Sequence, residues 1–305
     1  MSPIPPPFTS PERFSCAGKT FLLGEYAVLA GAPAWVATVG PRFELQTGTG
    51  TSLKKLFHPE SPAGKFITNS ALGGLTGEFH DPWAGQGGLG ASTAQFILIF
   101  RAALGPNRSW KEVFNAYRKV TEHESLPPSG ADLVAQWAGG IVRFTPSSLL
   151  LEQLHGSGKL DWNRFLFFSA TGQPSRKVPT HLHLAKLQSF PVTHSQLINE
   201  LRTVLKEAEI AFEAGDHPVF GSLLTRYGDL LAESELEIPA TAEDRAVLGP
   251  LPGVIGIKGT GALQADGILL MIDPAKADRA RIIAEARARN LVLISDGLQN
   301  HEGLK

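Results

Sequence analysis

The sequence holds a single cysteine, Cys16, among 305 residues. An internal disulfide framework is therefore excluded, and the chain suits a reducing compartment, with the cytoplasm as the expected location. Neither sign of charge is in excess: 28 Lys and Arg stand against 29 Asp and Glu, a formal net charge of −1. No general field draws the chain to nucleic acid or to a membrane surface, so any bound anion must be held by a local arrangement. No apolar run is long enough to span a bilayer, and no repeat of solenoid period occurs. The opening "MSPIPPPFTSPERF" lacks a basic flank followed by an apolar stretch and does not read as a signal peptide. Residues 1–12 are expected to form a flexible leader.

What is present is core-forming material, 43% hydrophobic residues, enough for one large or two ordinary domains. "RFSCAGKTFLLGEYAVLA" begins like a strand, turns at Gly18-Lys19 and continues apolar. "APAWVATV" (32–39) and "FELQTG" (43–48) read as two strands, the second alternating with period two. "STAQFILIFRAALG" predicts a buried helix ending at Gly105, and "SWKEVFNAYRKVTEHE" an amphipathic helix starting at a Ser cap. A short helix and a strand follow in "PPSGADLVAQWAGGIVRF", then a buried strand in "RFLFFSA" (164–170). Beyond Thr180 the texture changes to three amphipathic helical stretches, "HLHLAKLQSF", "HSQLINELRTVLKEAEIAFEAG" and "FGSLLTRYGDLLAESEL". A glycine-bearing turn "GIKGTG", a strand "GILLMID", a helix "KADRARIIAEARARN" and a strand "LVLIS" close the chain. The pattern is α+β with mostly antiparallel strands, and the expected boundary divides 13–180 from 181–305.

Four stretches carry candidate chemistry. In "GGLGAST", Gly87 to Thr93, glycines precede small hydroxyl residues at the start of a helix. Backbone N–H groups and the helix dipole there suit a phosphate. Ser and Thr are also preferred N-caps, so a capped helix after a loop fits the same residues. "AGKTFLLGEYAVLAG" sets Lys19 and Glu25 each behind a glycine; a surface lysine and a salt-bridged glutamate fit equally. "PPSGAD" places Asp132 at a helix start, where an acid is favourable on structural grounds alone. "GIKGTGALQADG" holds Lys258 and four glycines before a strand, as a hairpin turn would.

Together and in this order, the four resemble the motifs of the GHMP kinase superfamily, which includes galactokinase and the homoserine, mevalonate and phosphomevalonate kinases. Gly18-Lys19 with "GEYAVLAG" is similar to the first motif, and "GLGASTA" to the second, with Ala91 for its first serine. "KGTGA" is similar to the third, which then departs: Leu263, Gln264 and Ala265 stand where glycines are usual. Ser129, Gly130 and Asp132 match the Ser-Gly-x-Asp element of the isoprenoid-pathway members. The resemblance spans nearly the whole chain. It implies a two-domain fold, ribosomal protein S5 domain 2-like at the N-terminus and ferredoxin-like at the C-terminus.

The resemblance also implies roles. Lys19 and Asp132 would be catalytic, and Gly87, Gly88, Leu89, Gly90, Ala91, Ser92 and Thr93 would wrap the ATP triphosphate. Glu25, Tyr26, Ser129, Gly130, Lys258, Thr260, Gly261 and Ala262 would meet the acceptor. Mg²⁺ would lie on Ser92, with Glu122 or Glu124 supplying a carboxylate. Tyr26, the run from Asp132 to Ala135, the segment 169–181 and Asp266 lean toward phosphomevalonate as acceptor, with mevalonate next. A phosphate acceptor would need further cations, for which Arg13, Arg176 and Lys177 are candidates. The serine-rich loops and terminal Asp-Ala-Gly segment of diphosphomevalonate decarboxylase are not apparent. Retention of Lys19, Ser92 and Asp132 argues against a non-catalytic sensor. The expected partner is a small molecule, with neither nucleic acid nor membrane, bound by a monomer or homodimer.

Overall fold

The computed structural model describes residues 11–85, 88–170, 176, 186–187 and 189–305. The expected leader lies almost wholly outside these residues, as do Gly87, Lys177 and most of the first helical stretch after Thr180. The first sheet contains β1 (Arg13–Leu23), β2 (Ala34–Ser52), β3 (Thr76–His80), β4 (Ile141–Thr145) and β5 (Leu150–Gln153). Its order is β1-β2-β4-β5, with β3 also paired to β2, and all pairings are antiparallel. Two short helices, α1 (Leu53–Leu56) and α2 (Pro62–Thr68), join β2 to β3. Between β3 and β4 come α3 (Ala91–Leu104), α4 (Trp110–Thr121) and α5 (Ala131–Ala138).

The second sheet holds β6 (Phe165–Ser169), β7 (Val254–Thr260), β8 (Gly267–Ile272) and β9 (Val292–Asp296), in the order β7-β8-β6-β9. Among the described residues, three α-helices, α6 (Ser195–Ala214), α7 (His217–Glu233) and α8 (Pro239–Leu248), lie between β6 and β7 in sequence; α9 (Arg279–Ala288) lies between β8 and β9. Numbered within the unit, the strands run 2-3-1-4, the antiparallel ferredoxin-like order expected. Strand β6 precedes residue 180, so the second sheet recruits sequence from before the expected boundary.

Period-two alternation builds both faces of the first sheet. Ala34 and Val36 of β2 join Phe96, Phe100, Phe114 and Phe144 in a core beneath α3, α4 and α5. Trp35, Ala37 and Val39 point the other way. The Trp35 ring lies 5.0 Å from Phe212 of α6 and 5.7 Å from Phe220 of α7. Phe220 in turn sits 6.3 Å from Phe165 of β6, so α6 and α7 join the two sheets through one core. On the far side of the second sheet, Leu166 and Phe168 pack with Leu248 of α8 and Ile282 of α9.

Three readings change. The Gly18-Lys19 "turn" lies inside continuous β1, with only a register shift at Ala17/Gly18. The two strands expected at 32–48 are one 19-residue strand, β2. "GIKGTG" is not a turn: through Thr260 it is β7, and Gly256 is there because its backbone presses on Gly221 of α7.

Candidate active site

Strand β1 runs beneath the N-terminus of α3, and the Lys19 N–H donates to the Leu89 carbonyl at 3.0 Å. This pins the glycine loop against the strand that carries Lys19. Gly90, in the left-handed region at φ 92°, is the N-cap of α3, and no side chain caps that terminus. Ser92 and Thr93 sit one and two residues inside the helix, so neither is its cap. The capped-helix reading fails here, and the amide dipoles at this end remain available to an anion.

Thr93 is buried and turned inward. Its Oγ1 lies 2.5 Å from Gln136 Oε1 and 3.0 Å from the Gly90 carbonyl. Gln136 Nε2 donates to the Ala17 carbonyl at 2.8 Å. This fully buried glutamine of α5 therefore ties β1 and α3 together. It was missed in the sequence, where one polar residue on an apolar helix carries no distinguishing signal. The Ser92 side chain is left exposed in the first turn.

Lys19 is 9% exposed, and its ammonium lies 5.1 Å over the Phe21 ring, a cation–π contact. Asp132 is half-buried at the start of α5, and its Oδ1 accepts from the Leu133 N–H at 3.0 Å. Lys19 and Asp132 form no ion pair within 4.0 Å; burial raises the Asp266 carboxyl pKa, and the charge of Lys19 opposes that shift. Gln136, one turn beyond Asp132 on the same face of α5, packs with the Lys19 stem around Gly90. Ser129 and Gly130 precede α5, where Ser129 Oγ accepts from the Ala131 N–H at 3.3 Å.

Glu25 and Lys258, both expected to meet the acceptor, meet each other. They form a buried ion pair between the chain just after β1 and the middle of β7. Burial lowers the Lys258 pKa, and Glu25 opposes that shift. The second Glu25 oxygen, Oε2, is buried without a protein partner. The Tyr227 hydroxyl donates to the Glu25 carbonyl at 2.8 Å. Tyr26, held at φ 62°, accepts from the Leu263 N–H at 2.8 Å. Burial pushes the Tyr26 phenol well above its ordinary pKa.

The departed glycines of the third stretch keep a glycine-like backbone. Leu263 and Gln264 hold φ of 50° and 54°. Each such residue costs on the order of 1–2 kcal/mol in this region. The loop is anchored by Ile238 N–H on the Leu263 carbonyl and by Thr241 Oγ1 on the Gln264 carbonyl.

One tight cleft, without room for a water molecule as the side chains stand, gathers parts of three of these stretches: Lys19, Thr20 and Phe21 from β1, Gly88 from the glycine loop, and Thr260, Gly261 and Asp266 from the third stretch, with Phe167 of β6 beside them. Other expected groups stand elsewhere. Glu122 is exposed and pairs with the adjacent His123, and Glu124 pairs with Lys65. Arg13 pairs with Glu44 at the surface, and Arg176 with buried Asp244. Among the described residues no three of His, Cys, Asp and Glu converge as a metal cage. Magnesium held mainly by phosphates and water needs no such cage. No described helix is long and apolar enough to cross a membrane.

No protein-family model matches the chain, and no curated protein matches it in sequence. Solved structures do match in fold. The phosphomevalonate kinase of Streptococcus pneumoniae superposes with TM-score 0.72 at 15% identity, covering 93% of this chain and 98% of that one. The L. major mevalonate kinase in complex with R-mevalonate gives 0.66 at 18% identity, covering 100% and 98%. The mevalonate diphosphate decarboxylase of Staphylococcus aureus gives 0.64 at 13% identity, covering 97% of each chain. The chain thus has the GHMP kinase fold along its whole length. That fold also carries a decarboxylase, so the reaction must be argued from the cleft.

Proposed function

We propose that the chain is an ATP-dependent kinase of small molecules, with phosphomevalonate as its acceptor. One observation carries this reading: Lys19, the glycine loop before α3 and the third stretch, far apart in sequence, line a single cleft. Phosphoryl transfer is chiefly positioning and neutralisation of charge on the phosphoryl oxygens. The uncapped end of α3 would receive the triphosphate, with Gly88 allowing close approach and Ser92 offering its hydroxyl to the metal. Lys19 would bridge donor and acceptor phosphates and offset their repulsion. Bound Mg²⁺ would supply further neutralisation of the phosphate charge. Asp132, on the face of α5 that approaches Lys19, would orient the acceptor. Glu25 Oε2 would be free to accept a hydrogen bond from an acceptor hydroxyl.

Two residues lean the acceptor toward phosphomevalonate: Tyr26, whose hydroxyl accepts from the Leu263 N–H of the third stretch, and Asp266 within that stretch. A second reading, transfer to the hydroxyl of mevalonate, is favoured by the half-buried carboxylate of Asp132 at the start of α5. Asp132 would then be the general base. An ADP-release assay with phosphomevalonate, mevalonate and homoserine separates these. The expected result is a higher kcat/KM with phosphomevalonate; preference for mevalonate gives the second reading, and no ADP with any of them overturns both.

A further inference from the structure

The Asp266 carboxylate sits where the glycine loop and the third stretch come closest. A Cβ at Gly88 or at Gly261 would overlap that carboxylate, so both glycines are needed for the acid to fit. Both hold positive φ, 57° and 85°. Burial raises the Asp266 carboxyl pKa, while the Lys19 charge and the Ala262 backbone oppose that shift, so the acid is enclosed with a cation beside it. A lysine and glycines that admit close approach are features a phosphate oxygen would also seek.

The backbone of Asp266 is fixed independently of its side chain. Its N–H donates to the Thr260 carbonyl at 3.0 Å, and its carbonyl accepts from the Ala170 N–H at 3.0 Å. The carboxylate can therefore leave the cleft by side-chain rotation without unpicking the strand ends. Thr20 lines the same cleft at 3% exposure, and its hydroxyl has no hydrogen-bond partner. One buried hydroxyl of the cleft is thus left unused by Asp266 and available to an entering oxygen.

We propose that Asp266 is a built-in competitor for the phosphate cleft: a carboxylate of the chain itself stands between Gly88 and Gly261, and a polyphosphate must displace it to bind. This rests on the cleft being a phosphate site. It makes Asp266 a specificity-determining residue. Ligands with several negative charges can exchange for the carboxylate, whereas a singly charged anion gains too little. It also accounts for glycines at Gly88 and Gly261 in the absence of any ligand.

The test is calorimetric titration of the full chain with sodium tripolyphosphate, for wild type, Asp266→Asn and Asp266→Ser, with thermal melts to verify folding. Asn keeps the size and one oxygen acceptor but removes the charge. The expected result is about tenfold tighter tripolyphosphate binding by Asn, since it no longer competes as an anion. Equal or weaker binding by both folded variants overturns the proposal. Wild type that forms ADP with an acceptor while both variants bind tripolyphosphate more weakly overturns this inference alone. Tighter binding by Asn with no ADP from any acceptor leaves the competitor standing and removes the kinase reading. No tripolyphosphate binding by any of the proteins removes both.

Discussion

Lys19 is a nearly buried cation whose immediate surroundings are an aromatic face, a glycine loop and the Asp266 carboxylate. On the proposed function a lysine with these neighbours would handle phosphate charge, with the packing of its stem secondary. Lys19→Met should reduce turnover by about 10²-fold or more, the usual scale for removing one transition-state charge partner. Its melting temperature should stay close to wild type, because Met refills the stem volume; steady-state ADP release and a thermal melt measure the two. Ser92 invites the opposite comparison with Ser109. Ser109 caps α4 in a reciprocal capping box with Glu112, whereas Ser92 lies past the Gly90 cap of α3 and caps nothing. Ser109→Ala should lose about 1 kcal/mol of stability and keep Mg-ATP affinity. Ser92→Ala should keep its stability and lose affinity. Denaturant midpoints set beside nucleotide titrations check this pair, and reversal of the pattern would return the glycine loop to a structural role. Cys16 is fully buried, which pushes its pKa up to about 12, so almost no thiolate exists at pH 8. Iodoacetamide should leave it unmodified in the native chain and alkylate it in urea, read by mass spectrometry.

At the scale of elements, the Glu25–Lys258 pair joins the end of β1 to β7 inside the core, across the two sheets. Removing one partner leaves an uncompensated buried charge, which typically costs about 3–5 kcal/mol. Lys258→Met should therefore fall near that range in urea unfolding, and the double variant Glu25→Gln, Lys258→Met should recover much of it. Equal losses in the single and double variants would show that the pair is not the source. Element by element, the sequence was most legible where periodicity and caps agree: α3 ends at Gly105 and α4 starts at Ser109, as the pattern implied. It was least legible where a glycine serves a tertiary contact. Gly256 accommodates Gly221 of another element, and nothing local distinguishes that from a turn. Helix α8 and the short strands β3 and β5 had no strong periodic signal and were not anticipated.

Across the whole molecule, three of the four stretches contribute residues to one cleft, while Ser129 to Asp132 lies outside its lining; the fold was legible from the order of the four along the chain. The partners within that cleft were not. Lys19 faces Asp266, while Asp132 bonds to its own helix terminus, and the two acceptor-binding candidates Glu25 and Lys258 neutralise each other. Such pairings depend on how two sheets and their intervening helices close, a distance relation that spacing in sequence does not encode. The acceptor also leaves a signature at this scale, in the pH profile. A phosphate acceptor has a second ionisation near pH 6, so the acidic limb of kcat/KM should follow it and stay in place in Asp132→Asn. A hydroxyl acceptor would make that limb depend on an enzyme carboxylate and move it in the same variant.

The most direct test of the central claim is phosphorus NMR of the full chain with Mg-ATP and phosphomevalonate. The account predicts stoichiometric appearance of ADP and of a new diphosphate ester, abolished by Lys19→Met. Intact ATP after prolonged incubation with phosphomevalonate, mevalonate and homoserine in turn would contradict it.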